Sequence, residues 1–253
     1  YLKDVVEDGS GEAAAIAGRI AELHESGIPY RDIAILYRAH YVTRSIEEVF
    51  LRLKLPYVIY SGVQFFARAE VKDALSYLRL LAYRDDLSFL RVANVPRRNL
   101  GRRRMEFLRE YAVKNSCTLY DALCRCLDDE LFKGTKARRL ISLVEELSAG
   151  CEDRSIAELL SEVLNRSGYE EYLRTEGSQE RLDNLAELKQ SVRDYEETGG
   201  EECTLTHYLA HVALFTNSDA DTGKDAVKLM TVHAAKGLEF PHVFLCCLNE
   251  GIL

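Results

Sequence analysis

The chain has 253 residues, 47% of them hydrophobic and 29% charged, with only 4 Pro and 15 Gly. That balance excludes collagen-like and low-complexity chains and supplies enough apolar mass for a real core in one or two domains. A formal net charge of −8 excludes a globally basic nucleic-acid binder, though not a local basic patch. No apolar run approaches the roughly 20 residues of a membrane span. The opening Tyr1-Leu2-Lys3-Asp4 carries no signal-peptide pattern. Seven cysteines, with no C-x-x-C pair and no zinc-ligand spacing, predict reduced structural thiols in a cytoplasmic protein.

Strands and helices alternate at the start. Ile16, Ile20 and Leu23 share one face of a helix predicted over Glu12 to Ser26, with Gly27 at its stop. Ile33 to Tyr37 is a continuous apolar run, the pattern of a strand buried on both faces of a parallel sheet. Ser45-Ile46-Glu47-Glu48 reads as a capping box opening a helix with Ile46, Val49, Phe50 and Leu53 inward. Pro56 to Tyr60 is a short strand. From Glu70 to about Tyr195 the periodicity is helical throughout. Its apolar stripes include Val71, Leu75, Leu78 and Leu81; Ile156, Leu159, Leu160 and Val163; and Leu182, Leu185 and Leu188. The polar stretches Glu196 to Cys203 and Asn217 to Lys224 read as loops. Strand signals return at Val227 to Val232 and Pro241 to Cys247. Two isolated strands cannot fold alone, and Ile33 to Tyr37 can supply their neighbour. The expected fold class is therefore α/β: a partial parallel-sheet domain, residues 1–60 and 225–253, interrupted by a large all-helical insertion, residues 61–224.

Three segments can carry chemistry. Thr231-Val232-His233-Ala234-Ala235-Lys236-Gly237-Leu238-Glu239 follows a strand, where ligands of parallel sheets collect. Its hydroxyl, imidazole and ammonium suit phosphates and its carboxylate a ribose hydroxyl; a plain polar turn with a C-cap glycine is the competing reading. Arg38, His40 and Arg44 follow another strand and suit a phosphate backbone, or an ion-paired surface. Asn94-Val95-Pro96-Arg97-Arg98-Asn99-Leu100-Gly101-Arg102-Arg103-Arg104 concentrates five arginines around a turn between two helices. That suits a duplex phosphate clamp, or a solvated cluster paired with acids. His207 and His211, four apart, lack the Glu of H-E-x-x-H and a third ligand, so they read as a helix-face coincidence. Asp128-Asp129-Glu130 follows no buried strand. Gly223-Lys224-Asp225 lacks the rest of a phosphate loop, and no G-x-x-x-x-G-K-[ST] occurs.

Together these segments resemble the UvrD/Rep/PcrA class of superfamily 1 DNA helicases, in order and over nearly the whole chain. Leu229 to Phe240 is close to that family's motif V. Ile35-Leu36-Tyr37-Arg38 with Ser45-Ile46-Glu47-Glu48 matches a strand–helix unit of its second motor domain. Phe65-Phe66-x-Arg68-x-Glu70-Val71-Lys72-Asp73 matches the entry to its inserted helical subdomain, and Asn94-Val95-Pro96-Arg97 with Gly101 its helix-hairpin-helix region.

The resemblance implies a partial RecA-like domain, 2A, carrying a helical 2B insertion. It implies single-stranded DNA contacts at Arg38, His40, Thr231 and His233. Arg44 and Lys236 join them as DNA-binding candidates on charge and position, as do Arg97, Arg98, Gly101, Arg102 and Arg103 at the duplex junction, although the family hairpin is often less basic at Arg103-Arg104. His40 stands where the family usually has Asn. Glu239, beside Gly237, would bind the ATP ribose. The phosphate loop, the magnesium-binding acids and the first motor domain would lie upstream, and the arginine-bearing motif VI past Leu253. ATP and magnesium would then be cofactors of an intact DNA-unwinding parent. This piece alone would be inactive, since phosphoryl transfer needs the lysine, the magnesium and the arginine finger. The competing reading is a stand-alone protein-interaction or regulatory module on a helicase-like scaffold.

Overall fold

The computed structural model describes residues 9–60, 62–198, 203–216 and 225–246. The chain divides into two compact units, Tyr1–Arg68 with Ala213–Leu253, and Ala69–Val212. The sequence expectation had set the breaks at 61 and 224.

The first unit is built on a sheet of four strands: β1 (Ile33–Tyr37), β2 (Tyr57–Ile59), β3 (Val227–Thr231) and β4 (His242–Leu245). Their order is β2-β3-β1-β4, and every pairing is parallel. β1 thus lies between the two late strands. Its Ile33, Ala34, Ile35 and Tyr37 are buried, as a strand covered on both faces requires. The edge strand β4 alternates instead, leaving Val243 at 47% and Leu245 at 54% exposure.

Helix α1 (Gly9–Glu25) buries Ile16 and Ile20 and ends where Gly27 takes a φ of +96°, its N–H bonding His24 O. Helix α2 (Arg44–Leu53) buries Ile46, Val49 and Phe50. These side chains join Ile33, Ile35, Tyr57, Val227, Leu229 and Cys246 in one core cluster. Each large aliphatic chain buried there contributes about 1.5–3 kcal/mol. Leu53, expected inward, is 53% exposed because the helix ends there, Lys54 turning left-handed at φ +56°.

The capping box is not formed. The helix starts at Arg44 with Thr43 before it, and Thr43 makes no side-chain cap bond. Glu47 turns inward to 2% exposure and accepts the Phe65 N–H at 3.0 and 3.2 Å, well along the chain, rather than a local amide.

The second unit is helical: α3 (Ala69–Tyr83), α4 (Asp86–Val92), α5 (Arg102–Asn115), α6 (Leu119–Arg125), α7 (Ala137–Ser148), α8 (Ile156–Arg166), α9 (Tyr169–Thr175) and α10 (Gln179–Thr198). Helix α11 (Leu205–Thr216) begins in this unit and ends in the other. The stripes of α3 and α8 are buried as periodicity predicts, as are Leu185 and Leu188 of α10. α10 runs through Glu196, which the sequence had placed in a loop; the second predicted loop, 217–224, lies outside the described residues, as does Cys247. No helix among the described residues is long and apolar enough to cross a membrane.

Candidate nucleic-acid and nucleotide interface

Parallel pairing puts the carboxyl ends of β1 and β3 side by side. Tyr37 is opposite Thr231, and the Val232 N–H donates to Tyr37 O at 2.9 Å. Arg38 and His40 therefore leave the sheet on the same edge as Thr231 and His233. Arg38 and His233 are exposed, and Arg38 has no side-chain partner among the described residues. The Thr231 hydroxyl accepts the Ala234 N–H at 3.2 Å, starting the tight turn after β3. Gly237 holds φ +84°, a conformation that favours glycine. The chain then runs back to His242, opposite Ile33 at the start of β1. Lys236 and Glu239 are exposed along this return, and Phe240 stacks under the Lys228 ammonium at 4.9 Å. Glu239 thus lies past the turn that carries Thr231 and His233.

His40 is held from several sides. Its Nδ1 lies 3.3 Å from the Tyr37 hydroxyl, and burial raises the pKa of that phenol, keeping it protonated. Its carbonyl accepts from Arg68 at 2.7 Å. Arg68 also bonds the Thr43 hydroxyl at 3.1 Å and Val63 O at 3.2 Å, and Thr43 in turn donates to Glu47 at 2.5 Å. Arg68, Thr43 and Glu47 are buried second supports that the sequence reading missed. Their sequence signals were the Phe65-Phe66-x-Arg68 pattern and, for Glu47, the Ser45-Ile46-Glu47-Glu48 segment.

Gly62 packs against the same ring: a Cβ there would sit 2.5 Å from His40 Cε1 and 2.8 Å from Ile59 Cγ2. Gly62→Ala is expected to destabilise the protein by about 1–2 kcal/mol, since the ring is held and cannot yield cheaply. Urea unfolding checks this; an unchanged midpoint would show a freely moving His40.

Arg44 departs from expectation. It is 7% exposed and donates to Glu48 at 3.1 Å, so its charge is engaged within α2 rather than offered to a ligand.

The arginine hairpin is in the helical unit. The Asn94 side chain accepts the N–H groups of Arg98 and Leu100 at 2.9 and 3.0 Å, closing the turn. Arg97, Gly101, Arg102 and Arg103 are exposed. Arg102 pairs with Glu106 at 2.8 Å, but at 92% side-chain exposure such a pair holds little. Gly101 is the N-cap of α5 with no side-chain cap bond, and no acid occupies the first turn. Three arginines thus crowd the positive end of a helix dipole, an arrangement that favours an added anion.

Arg98 is the correction here. It is 5% exposed, and its guanidinium donates to Val92 O at 2.8 Å, Val95 O at 3.0 Å, Ser167 O at 3.2 Å and the Tyr77 hydroxyl at 2.8 Å. It builds the turn from inside and cannot reach a ligand. Arg104 likewise bonds Leu131 O and Asn99 O. Among the described residues no group of three His, Cys, Asp or Glu is arranged to hold a metal.

The model of the UvrD-like helicase C-terminal domain matches residues 5–253. The chain belongs to that family. Its relatives include the ATP-dependent DNA helicase PcrA of Bacillus subtilis (strain 168), 39% identical over 96% of this chain and 34% of the relative. PcrA of Staphylococcus aureus (strain Mu50) is 38% identical over 95% of this chain and 34% of the relative. DNA helicase II of Escherichia coli (strain K12) is 38% identical over 95% of this chain and 35% of the relative. The chain spans about a third of the length of these UvrD-like relatives.

Proposed function

We propose that the chain is the 2A/2B portion of an ATP-dependent DNA helicase. The sheet unit is the partial RecA-like domain and the helical unit its insertion. The observation that carries this reading is the register of Tyr37 against Thr231, which delivers Arg38, His40, Thr231 and His233 to one sheet edge. An exposed guanidinium, two imidazoles and a hydroxyl there suit the phosphates and sugars of single-stranded DNA. Lys236 extends the same turn. The hairpin residues Arg97, Gly101, Arg102 and Arg103 suit duplex phosphates at a junction. Arg44 and Arg98 leave the contact set because both are buried.

ATP fits this chain only in part. The exposed Glu239 carboxylate beside Gly237 can accept from ribose hydroxyls. No residue pattern in the sequence cradles a triphosphate, so in this reading phosphate, magnesium and hydrolysis would fall to the first motor domain of the parent. In the parent the nucleotide would supply the free energy for stepping along DNA. The chain's own residues would grip strand and junction. It would be inactive alone.

A fluorescently labelled junction oligonucleotide tests this. Binding should weaken steeply with salt, with a log–log slope of about −3 to −5 for four to six phosphate contacts. Arg38→Ala with His233→Ala should weaken binding to single strands. Arg97→Ala with Arg102→Ala and Arg103→Ala should weaken binding to the duplex. Absent or salt-insensitive binding would reject the DNA reading in favour of a protein-interaction module.

A further inference from the structure

Near the arginine hairpin lies a cleft of about 360 Å³ lined by Arg97, Lys136, Arg139, Arg166, Glu171 and Tyr172. The hairpin and the start of α7 are joined there: the Lys136 N–H donates to Arg98 O at 3.0 Å, and the Asn99 amide reaches Gly134 O at 3.4 Å.

The cations of this region fall into two groups. Arg166 is paired with Glu162 and Glu146, and Arg138 with Asp128. The one carboxylate in the cleft wall, Glu171, lies 3.6 Å from Arg174. Arg97, Lys136 and Arg139, all exposed, have no side-chain partner among the described residues. In a chain with 41 acidic residues, partners were available.

The position is also electrostatically uphill. Lys136 is the N-cap of α7, Arg138 and Arg139 stand in its first turn, and no acid does. Cations repel the positive end of a helix dipole. A local rule broken three times at one helix start, with an acid answering only Arg138, marks a place kept for something other than stability.

We propose that Arg97, Lys136 and Arg139 form a second phosphate site, which takes backbone phosphodiesters of duplex nucleic acid beside the α5 site. Arg97 is shared, so one turn serves both helix starts. This rests on the DNA-binding reading above and adds to it Lys136 and Arg139.

The test is the double variant Lys136→Ala with Arg139→Ala in the full chain, titrated with a blunt duplex and with a single strand. Both side chains are exposed, so the urea midpoint should match wild type. Duplex affinity should fall about tenfold and the salt slope by about 2, with single-strand affinity unchanged. An unchanged duplex slope, while Arg102→Ala with Arg103→Ala weakens binding, overturns the cleft and leaves the hairpin. Equal loss on both probes overturns it as a general charge effect. No duplex binding by the wild type rejects the DNA reading itself, and the cleft with it.

Discussion

Replacing Arg98 with alanine is expected to destabilise the protein by about 3–5 kcal/mol, the largest effect of any single arginine in the hairpin. The guanidinium reaches Val92 O, Val95 O and Ser167 O together, and it also meets the Tyr77 hydroxyl. That hydroxyl itself donates to Val95 O at 2.6 Å. Truncation takes the guanidinium from Ser167 O and strips one charged donor each from Val92 O and Val95 O, which keep the Val95 N–H and the Tyr77 hydroxyl; it also opens a cavity beside Tyr77. Arg98→Lys should recover little, because an ammonium lacks the planar fork that spans these acceptors. Urea unfolding followed by circular dichroism measures both. A wild-type midpoint for Arg98→Ala would show that the turn is held by Asn94 alone. Loss of DNA binding in this variant would report a collapsed hairpin, so it does not identify a contact.

Glu47 should make stability fall as pH rises. Burial lifts its carboxyl from the usual 4.5 to about 7, outweighing the Thr43 hydroxyl, the Phe65 amide and Arg68, which pull the other way. Between these values the folded protein holds a proton that the unfolded chain has released. Stability from this group is therefore full below pH 4.5 and declines through pH 7, with a total of about 3 kcal/mol. Glu47→Gln keeps an acceptor for the Phe65 N–H and removes the charge. It should flatten this part of the pH profile and raise the urea midpoint above pH 7. Glu47→Ala should instead lower the midpoint at every pH, because the buried Phe65 N–H and Thr43 hydroxyl lose their acceptor. The informative quantity is the difference between wild type and Glu47→Gln from pH 5 to pH 8. An identical slope in the two proteins would place the titration elsewhere.

The sequence by itself determined the alternation of elements and most of the core. Ile33 to Tyr37 had to be a doubly covered strand because no polar residue interrupts it, and the stripes of α3 and α8 repeat at the helical period. Their faces are local properties of spacing. Motif order also carried the family. What the tertiary structure decided was where polar side chains go. Glu47 sits at a good capping spacing, yet an amide 18 residues away claims it. Arg98 reads like its exposed neighbour Arg97, but Ser167, 69 residues on, helps hold it inside. The strand order β2-β3-β1-β4 and the edge shared by Arg38 and His233 likewise depend on residues nearly 200 positions apart. Hydrophobic burial follows periodicity, because any apolar neighbour will serve. A buried charge needs particular partners at particular distances, and only the folded chain brings those together.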